Sequence, residues 1–310
     1  MHNQFCLKAN LGISPLFHKP AKGRRTAFPF LTLFLVLGGA DSIIAQAAPA
    51  VSEINGEAGY AGGTMDGSEG NNFNATITLP VSHSFGFQAD TLYSRIGAGD
   101  FYGGAGHFFW RDPDIGLIGL AGGYLYRSGV DTFQLGPEAQ YYIGQFTLGA
   151  FAGIGQINYA NAEPFIDTNP TRFIGRVSVD YYPIKDLRAG VSYTTAFGDN
   201  LGRAELEYQT PIRGLALTAE AAKGDHGYDH LLFGVRYYFG SKKALRDRQR
   251  QDDPPGFMQQ VLQGLGLYGA EYNQKGNAYL QSQGVSSGGY SSYGESDEMN
   301  NFFNPPITAP

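Results

Sequence analysis

From Ser52 to Gly240 the chain alternates apolar residues with others at a period of two. In FNATITLPV, Phe73, Ala75, Ile77, Leu79 and Val81 share one face, and Asn74, Thr76 and Thr78 share the other. VDTFQLGPEAQYYIG groups Val130, Phe133, Leu135, Ala139, Tyr141 and Ile143. LRAGVSYTTAF groups Leu187, Ala189, Val191, Tyr193 and Phe197. In LLFGVRYYFG, Leu231, Phe233, Val235, Tyr237 and Phe239 oppose Leu232, Gly234, Arg236 and Tyr238. Alternation over such lengths predicts strands rather than helices. Twelve are expected, starting near residues 52, 71, 84, 99, 114, 129, 145, 170, 186, 201, 212 and 228. AGHFFW and IGLIGLAGGYLY keep the pattern least well.

Twelve strands with one apolar face each can hide it in two ways. A soluble sandwich turns it inward; a membrane barrel turns it to lipid. The connections favour the barrel. GGTMDGSEGN, IGAG, RSGV, NYANAEPFIDTNPT, FGDN and KGDHGY alternate with VSHS, RDPD, IGQ, PIKD and TPIRG. Four of the first set read as long, acidic or rich in Asn and Gly; the second set reads as tight turns. Long loops at one end, short turns at the other and an even strand count fit a transmembrane barrel. Closure also removes sheet edges, whose unpaired groups cost several kcal/mol each in lipid. Tyr60, Tyr93, Trp110, Tyr126, Tyr181, Tyr193, Tyr208 and Tyr237 fall near strand ends, where an interfacial girdle belongs.

The flanks change the picture. Lys19, Lys22, Arg24 and Arg25 precede the apolar run AFPFLTLFLVLGGA, and AQAAPA follows, so residues 1–47 read as a signal peptide cleaved after Ala47. The run is too short for a comfortable transmembrane helix. Cys6, the single cysteine, falls inside this segment, which leaves the mature chain without disulfides or thiolate chemistry. Cleavage removes five of 22 basic and one of 28 acidic residues, leaving 17 against 27, a net −10. Such a charge argues against nucleic acid as a partner. Residues 48–240 are then the barrel. Residues 241–310, rich in Ser, Gly, Tyr, Asn and Gln, read as a low-complexity, largely disordered tail in the periplasm. A short amphipathic helix starts at Phe257 in FMQQVLQGLGLYG. The tail could fold back into the lumen, contact peptidoglycan or bind a periplasmic partner.

The final strand, with aromatics at Phe233, Tyr237 and Phe239, resembles the closing strand of outer-membrane β-barrel (porin-like) families of Gram-negative bacteria. The resemblance spans Ser52 to Gly240. SKKALRDRQRQDDPP, just beyond, is similar to a stretch in uncharacterised barrel proteins of proteobacteria. The resemblance implies an all-β, antiparallel up-and-down transmembrane barrel in outer-membrane lipid. It also implies that Phe233, Val235, Tyr237 and Phe239 are read by the barrel-insertion machinery, although that strand usually ends the chain in those families.

The face opposite the apolar one carries the candidate functional residues. Glu53, Glu57, Asp90, Glu138, Asp180, Glu205, Glu207 and Glu220 are expected to line the lumen with Arg172, Arg176, Arg188, Arg203 and Arg236. Arginine suits planar, bidentate pairing with carboxylates. These charges could set a field in a narrow water-filled pore or pair across the barrel and block it. The leading expectation is a small-solute channel. A closed structural or adhesive barrel is the alternative, and an outer-membrane lipid hydrolase using His83 and Ser84 of the SHS turn is a distant third. No enzyme activity and no cofactor is expected. His226 and His230, beside Asp225 and Asp229, have metal-like spacing, but an extended segment does not converge them.

Overall fold

The computed structural model describes residues 48–160, 163–240 and 242–284. The predicted signal peptide and the end of the tail lie outside the described residues. Twelve antiparallel strands run β1 (Asn55–Met65), β2 (Ser68–Pro80), β3 (Phe85–Ile96), β4 (Gly99–Asp112), β5 (Gly116–Arg127) and β6 (Val130–Ile143). They continue as β7 (Phe146–Tyr159), β8 (Thr171–Ile184), β9 (Leu187–Ala196), β10 (Asp199–Gln209), β11 (Leu215–Gly224) and β12 (Asp229–Phe239). Each pairs with its chain neighbours, and β1 pairs with β12 from Gly56 opposite Phe239 to Met65 opposite His230. The barrel is closed and has no edge, as an all-β transmembrane fold requires.

Every strand begins within three residues of its expected start, but the loop pattern is corrected. GGTMDGSEGN is not a long loop. β1 and β2 run on to a two-residue turn, Asp66–Gly67, with φ of 48° and 74°. Both residues are left-handed, the conformation a tight hairpin needs. Polar composition there marks the ends of long strands. Of the six connections at this end, the 160–170 segment alone is long. We call this the far rim. The near rim carries the start of β1, the end of β12 and the turns 81–84, 113–115, 144–145, 185–186 and 210–214.

The exterior is apolar. Phe73, Ile118, Val191, Leu206, Phe233 and Phe239 are each about half exposed or more, with Phe233 at 60%. A soluble sandwich would bury these side chains; only lipid makes this surface stable in a closed barrel. The alternation therefore turns outward, and the fold is that of a transmembrane β-barrel. A row of rings crosses four strands, with Tyr60 4.8 Å from Phe73, Phe73 6.2 Å from Tyr93 and Tyr93 5.2 Å from Tyr102. Towards the near rim Phe85 stacks on Phe108 and Phe146 on Tyr181.

Two residues grouped with the outward face point in. Val130 is buried because the inward parity of β6 falls on its even positions. Phe197 leaves the strand for a turn, at φ 58°, and covers the far end of the lumen.

After β12 the chain turns back into the barrel. A short helix α1 (Leu245–Gln251) packs at the near rim, and α2 (Met258–Ser282) follows. The helix expected to start at Phe257 is twice as long as its apolar motif. It lies within the lumen, touching β3, β4, β5, β6, β9 and β10. Twelve strands spaced about 4.8 Å and tilted about 40° give a backbone diameter of roughly 24 Å. A helix with its side chains takes about 10–12 Å, and inward wall side chains fill the remainder.

Candidate functional site

The lumen has two halves of different chemistry. The near half is ionic. β8, β9, β10, β11 and β12 each turn alternate charged residues inward, so neighbouring strands bring opposite charges into contact. Arg188 Nη1 donates to Asp180 at 3.1 Å, and its Nη2 lies 3.3 Å from Glu207. Arg203 Nη2 donates to Glu205 at 3.0 Å and its Nη1 lies 3.6 Å from Glu220. Arg236 donates to both oxygens of Glu207 at 3.2 Å and sits 3.5 Å from Glu57. Glu207 is fully buried and also accepts from Tyr238 and from Gln249 of α1. Arg176 lines the same space, a cavity of about 120 Å³ bordered by Glu57, Asp90, Glu205, Glu220 and Met258. It has room for a few waters.

On the other wall, His107 is buried between two carboxylates. Its Nε2 lies 3.0 Å from Asp90 and its Nδ1 3.0 Å from Glu138. An imidazolium satisfies both by donating twice. Asp90 also accepts the Phe257 backbone N–H at 2.7 Å. That bond supplies a negative charge at the start of α2, where the helix has free N–H groups and a positive dipole end. The Phe257 ring meets His107 edge-on at 5.7 Å and Phe151 at 5.0 Å.

The far half is mainly apolar, with Arg127, Gln134 and His230 as buried polar exceptions. Leu92, Ile96, Phe101, Leu125, Ile157, Ile174, Leu201 and Leu232 face inward and are buried. They pack on Met258, Val261, Leu262, Leu265, Leu267, Tyr268 and Tyr272 of α2. Glycines allow the closest approaches: a Cβ at Gly123 would lie 3.1 Å from Val261, and one at Gly266 2.7 Å from Tyr228. Polar helix residues meet polar wall, with Gln263 donating to Glu220 at 2.8 Å.

At the far rim a polar clamp holds the helix exit. His226 stands on a single 3-10 turn, Asp225–Gly227, with φ 57°. One imidazole nitrogen meets Asp199 at 2.9 Å and the other meets Gln274 of α2. Burial pulls its pKa down, but the hydrogen bonds to Gln274 and Asp199 and the charges of Asp199 and Glu271 raise it overall. Asp66, in the β1–β2 turn, is pushed up to about 6 by burial and by Asp229, against a hydrogen bond from Asn273 of α2. Both shifts act in one direction. A raised histidine stabilises the clamp below its free value and loses that as pH rises through the folded pKa. A raised aspartate is harmless when protonated and adds a penalty as pH rises through about 6. A nitroxide probe at Ser282 should therefore move faster at about pH 8.5 than at about pH 5.5. His226→Gln should flatten that dependence; slower motion at high pH would contradict the clamp.

Most of the expected lumen residues meet here. Glu57, Asp90, Glu138, Arg176, Asp180, Arg188, Arg203, Glu205, Glu207, Glu220 and Arg236 lie on inward positions of the strands. Glu53 does not, because β1 starts at Asn55 and leaves Glu53 exposed before it. Arg172 stands half exposed at the far rim, 3.3 Å from Asp167 of the long connection. Phe233, Val235, Tyr237 and Phe239 all face outward on β12. His226 and His230 diverge: His230 points into the lumen, 2.7 Å from Glu220, while His226 meets α2. The sequence reading missed His107, Tyr238, Gln249 and the apolar far wall. His107 shares its strand parity with buried Phe101 and Phe109, a signal that was visible.

No protein-family model matches the chain, and none of the curated proteins is similar to it in sequence. Solved structures are similar in fold. The KdgM porin in complex with disordered oligogalacturonate is 12% identical, with 59% of this chain and 99% of that one covered at a TM-score of 0.46. The NanC porin is 9% identical, covering 58% and 98% at 0.45. The translocator domain of the autotransporter NalP from Neisseria meningitidis is 12% identical, covering 61% and 87% at 0.36.

Proposed function

We propose that the protein works as a closed outer-membrane barrel, an anchor whose function lies at its mouths. The observation that carries this is the apolar far wall matched by the apolar residues of α2. A wall of Phe, Leu and Ile suits a packed partner and would be costly to wet. Burying seven large helix side chains at roughly 1.5–3 kcal/mol each gives a gross stabilisation on the order of 10–20 kcal/mol. Opening the lumen must work against that packing. Outer-membrane lipid is the surrounding partner, and the outward aromatics of β12 support recognition by the insertion machinery. The first expectation, a narrow small-solute channel, keeps one supporting observation: the charged near half with its cavity. In that reading α2 must leave before anything passes.

Planar-bilayer recording separates the two. The full chain is expected to give no step currents, and a chain ending at Gly240 is expected to give stable open steps. Currents through the folded full chain would overturn the closed reading.

A further inference from the structure

The path of the chain after β12 has a direction, and its contacts order it from one rim to the other. At the near rim, Arg248 Nη1 donates to Phe239 O at 3.3 Å, Arg246 N to Lys185 O at 2.9 Å and Arg250 Nη2 to Phe146 O at 2.7 Å. Asp252 accepts from Ser52 N at 3.0 Å, tying in the segment before β1. Halfway along, Gln88 Nε2 donates to Pro254 O at 3.1 Å and Phe257 N to Asp90. At the far rim, Tyr268 OH donates to Asp167 O at 2.9 Å, Tyr272 OH to Glu163 at 3.1 Å, and Phe165 meets Tyr279 at 5.7 Å. Residue number and depth rise together along the whole segment.

Burial changes with the same order. From Met258 to Ala270 nearly every residue is buried; from Gln274 most are exposed, and Gln281 to Gly284 are all exposed. The eight residues Lys275–Ser282 extend about 12 Å at 1.5 Å per residue. The helix thus leaves the lumen by the mouth opposite the one it came in by.

We propose that this barrel carries the C-terminal end of its own chain across the outer membrane, so that the chain beyond about Lys275 starts on the cell surface. The long 160–170 connection marks the far rim as the external one, since long loops face outward and short turns face the periplasm. The lumen is then the conduit for one substrate, the segment that stays in it. The low charge and small residues of VSSGGYSSYGES, which follows α2, suit passage through a narrow barrel. This goes beyond the closed-barrel reading. It rests on the direction of α2 and stands whether or not the barrel conducts.

The test uses the full chain with Cys6→Ser and one new cysteine at a time. Ser282→Cys reports the helix exit, Ser128→Cys the far-rim turn β5–β6 and Asp114→Cys the near-rim turn β4–β5; all three positions are exposed. Intact cells are treated with a membrane-impermeant maleimide, and folding is checked by heat-modifiable gel migration. Ser282→Cys and Ser128→Cys are expected to label to the same extent in intact cells, and Asp114→Cys only after permeabilisation. Ser282→Cys staying hidden in intact cells, or labelling only with Asp114→Cys, would overturn the proposal. Bilayer currents from the full chain would remove the closed-barrel reading and leave this result untouched.

Discussion

Replacing Glu207 with alanine is expected to destabilise the barrel by about 3–5 kcal/mol, the usual cost of leaving a buried charge without its partner. Glu207 is fully buried at the centre of the near-half network and accepts from Arg188, Arg236, Tyr238 and Gln249. Alanine leaves two guanidinium groups facing one vacated space. Arg188 keeps Asp180 and a 3.6 Å contact to Glu205, whereas Arg236 keeps its bond to the Tyr238 hydroxyl and, among charged partners, the longer contact to Glu57. Arg236 therefore bears most of the loss. Glu207→Ala/Arg236→Ala should cost clearly less than the sum of the single changes, because it removes both charges of the pair. The readout is the temperature at which folded and unfolded bands exchange on a gel. An unchanged temperature for Glu207→Ala would show that the network contributes nothing to stability, and strict additivity in the double variant would show that Glu207 and Arg236 are not coupled.

The strands were legible in the sequence because each has one face in lipid, and lipid imposes a strict period of two. The exceptions are instructive. AGHFFW and IGLIGLAGGYLY alternate poorly because β4 and β5 carry apolar residues on both faces. Phe101, Phe109, Leu117, Ala121 and Leu125 point inward while Tyr102, Phe108, Ile118 and Leu120 point out. A strand with two apolar faces in a barrel announces something apolar inside it. The charged lumen residues were readable from parity alone, and parity could not say whether they lined water or paired with one another.

The plug was harder to read, since α2 offers no strong amphipathic stripe. Gly264, Gly266, Gly269 and Gln263 interrupt its apolar run, and glycine in a helix normally argues against the helix. Inside a barrel the wall surrounds it on all sides, so there is no solvent face to mark with charge. The same glycines that weaken the helical signal let it fit. The expectation of a long first loop fails for a related reason: Asp66–Gly67 is a hairpin signal, and the polar residues around it belong to the ends of β1 and β2.

Replacing Leu265 with aspartate is expected to free α2 from the lumen while leaving the strand ladder intact. Leu265 is fully buried among the apolar residues of the far half. Truncation there to alanine would cost about 2–5 kcal/mol. Aspartate adds the burial of an ionised group within that apolar cluster, more than packing can offset unless the helix moves or the group takes a proton. The barrel loses little directly, because its hydrogen bonds run between strands and its outer face stays in lipid. Folded protein should still migrate as a heat-modifiable band. In bilayers it should show open steps absent from the unsubstituted chain, and trypsin should cut at several sites in the residues after Gly240. Leu265→Asn is the control, since it is nearly isosteric with aspartate and carries no charge. It should undock the helix less completely, and its currents should flicker between closed and open levels rather than stay open. Leu265→Asp protein that is folded, silent and protease-resistant would mean that α2 does not seal the barrel, and the closed-barrel reading would fall with it.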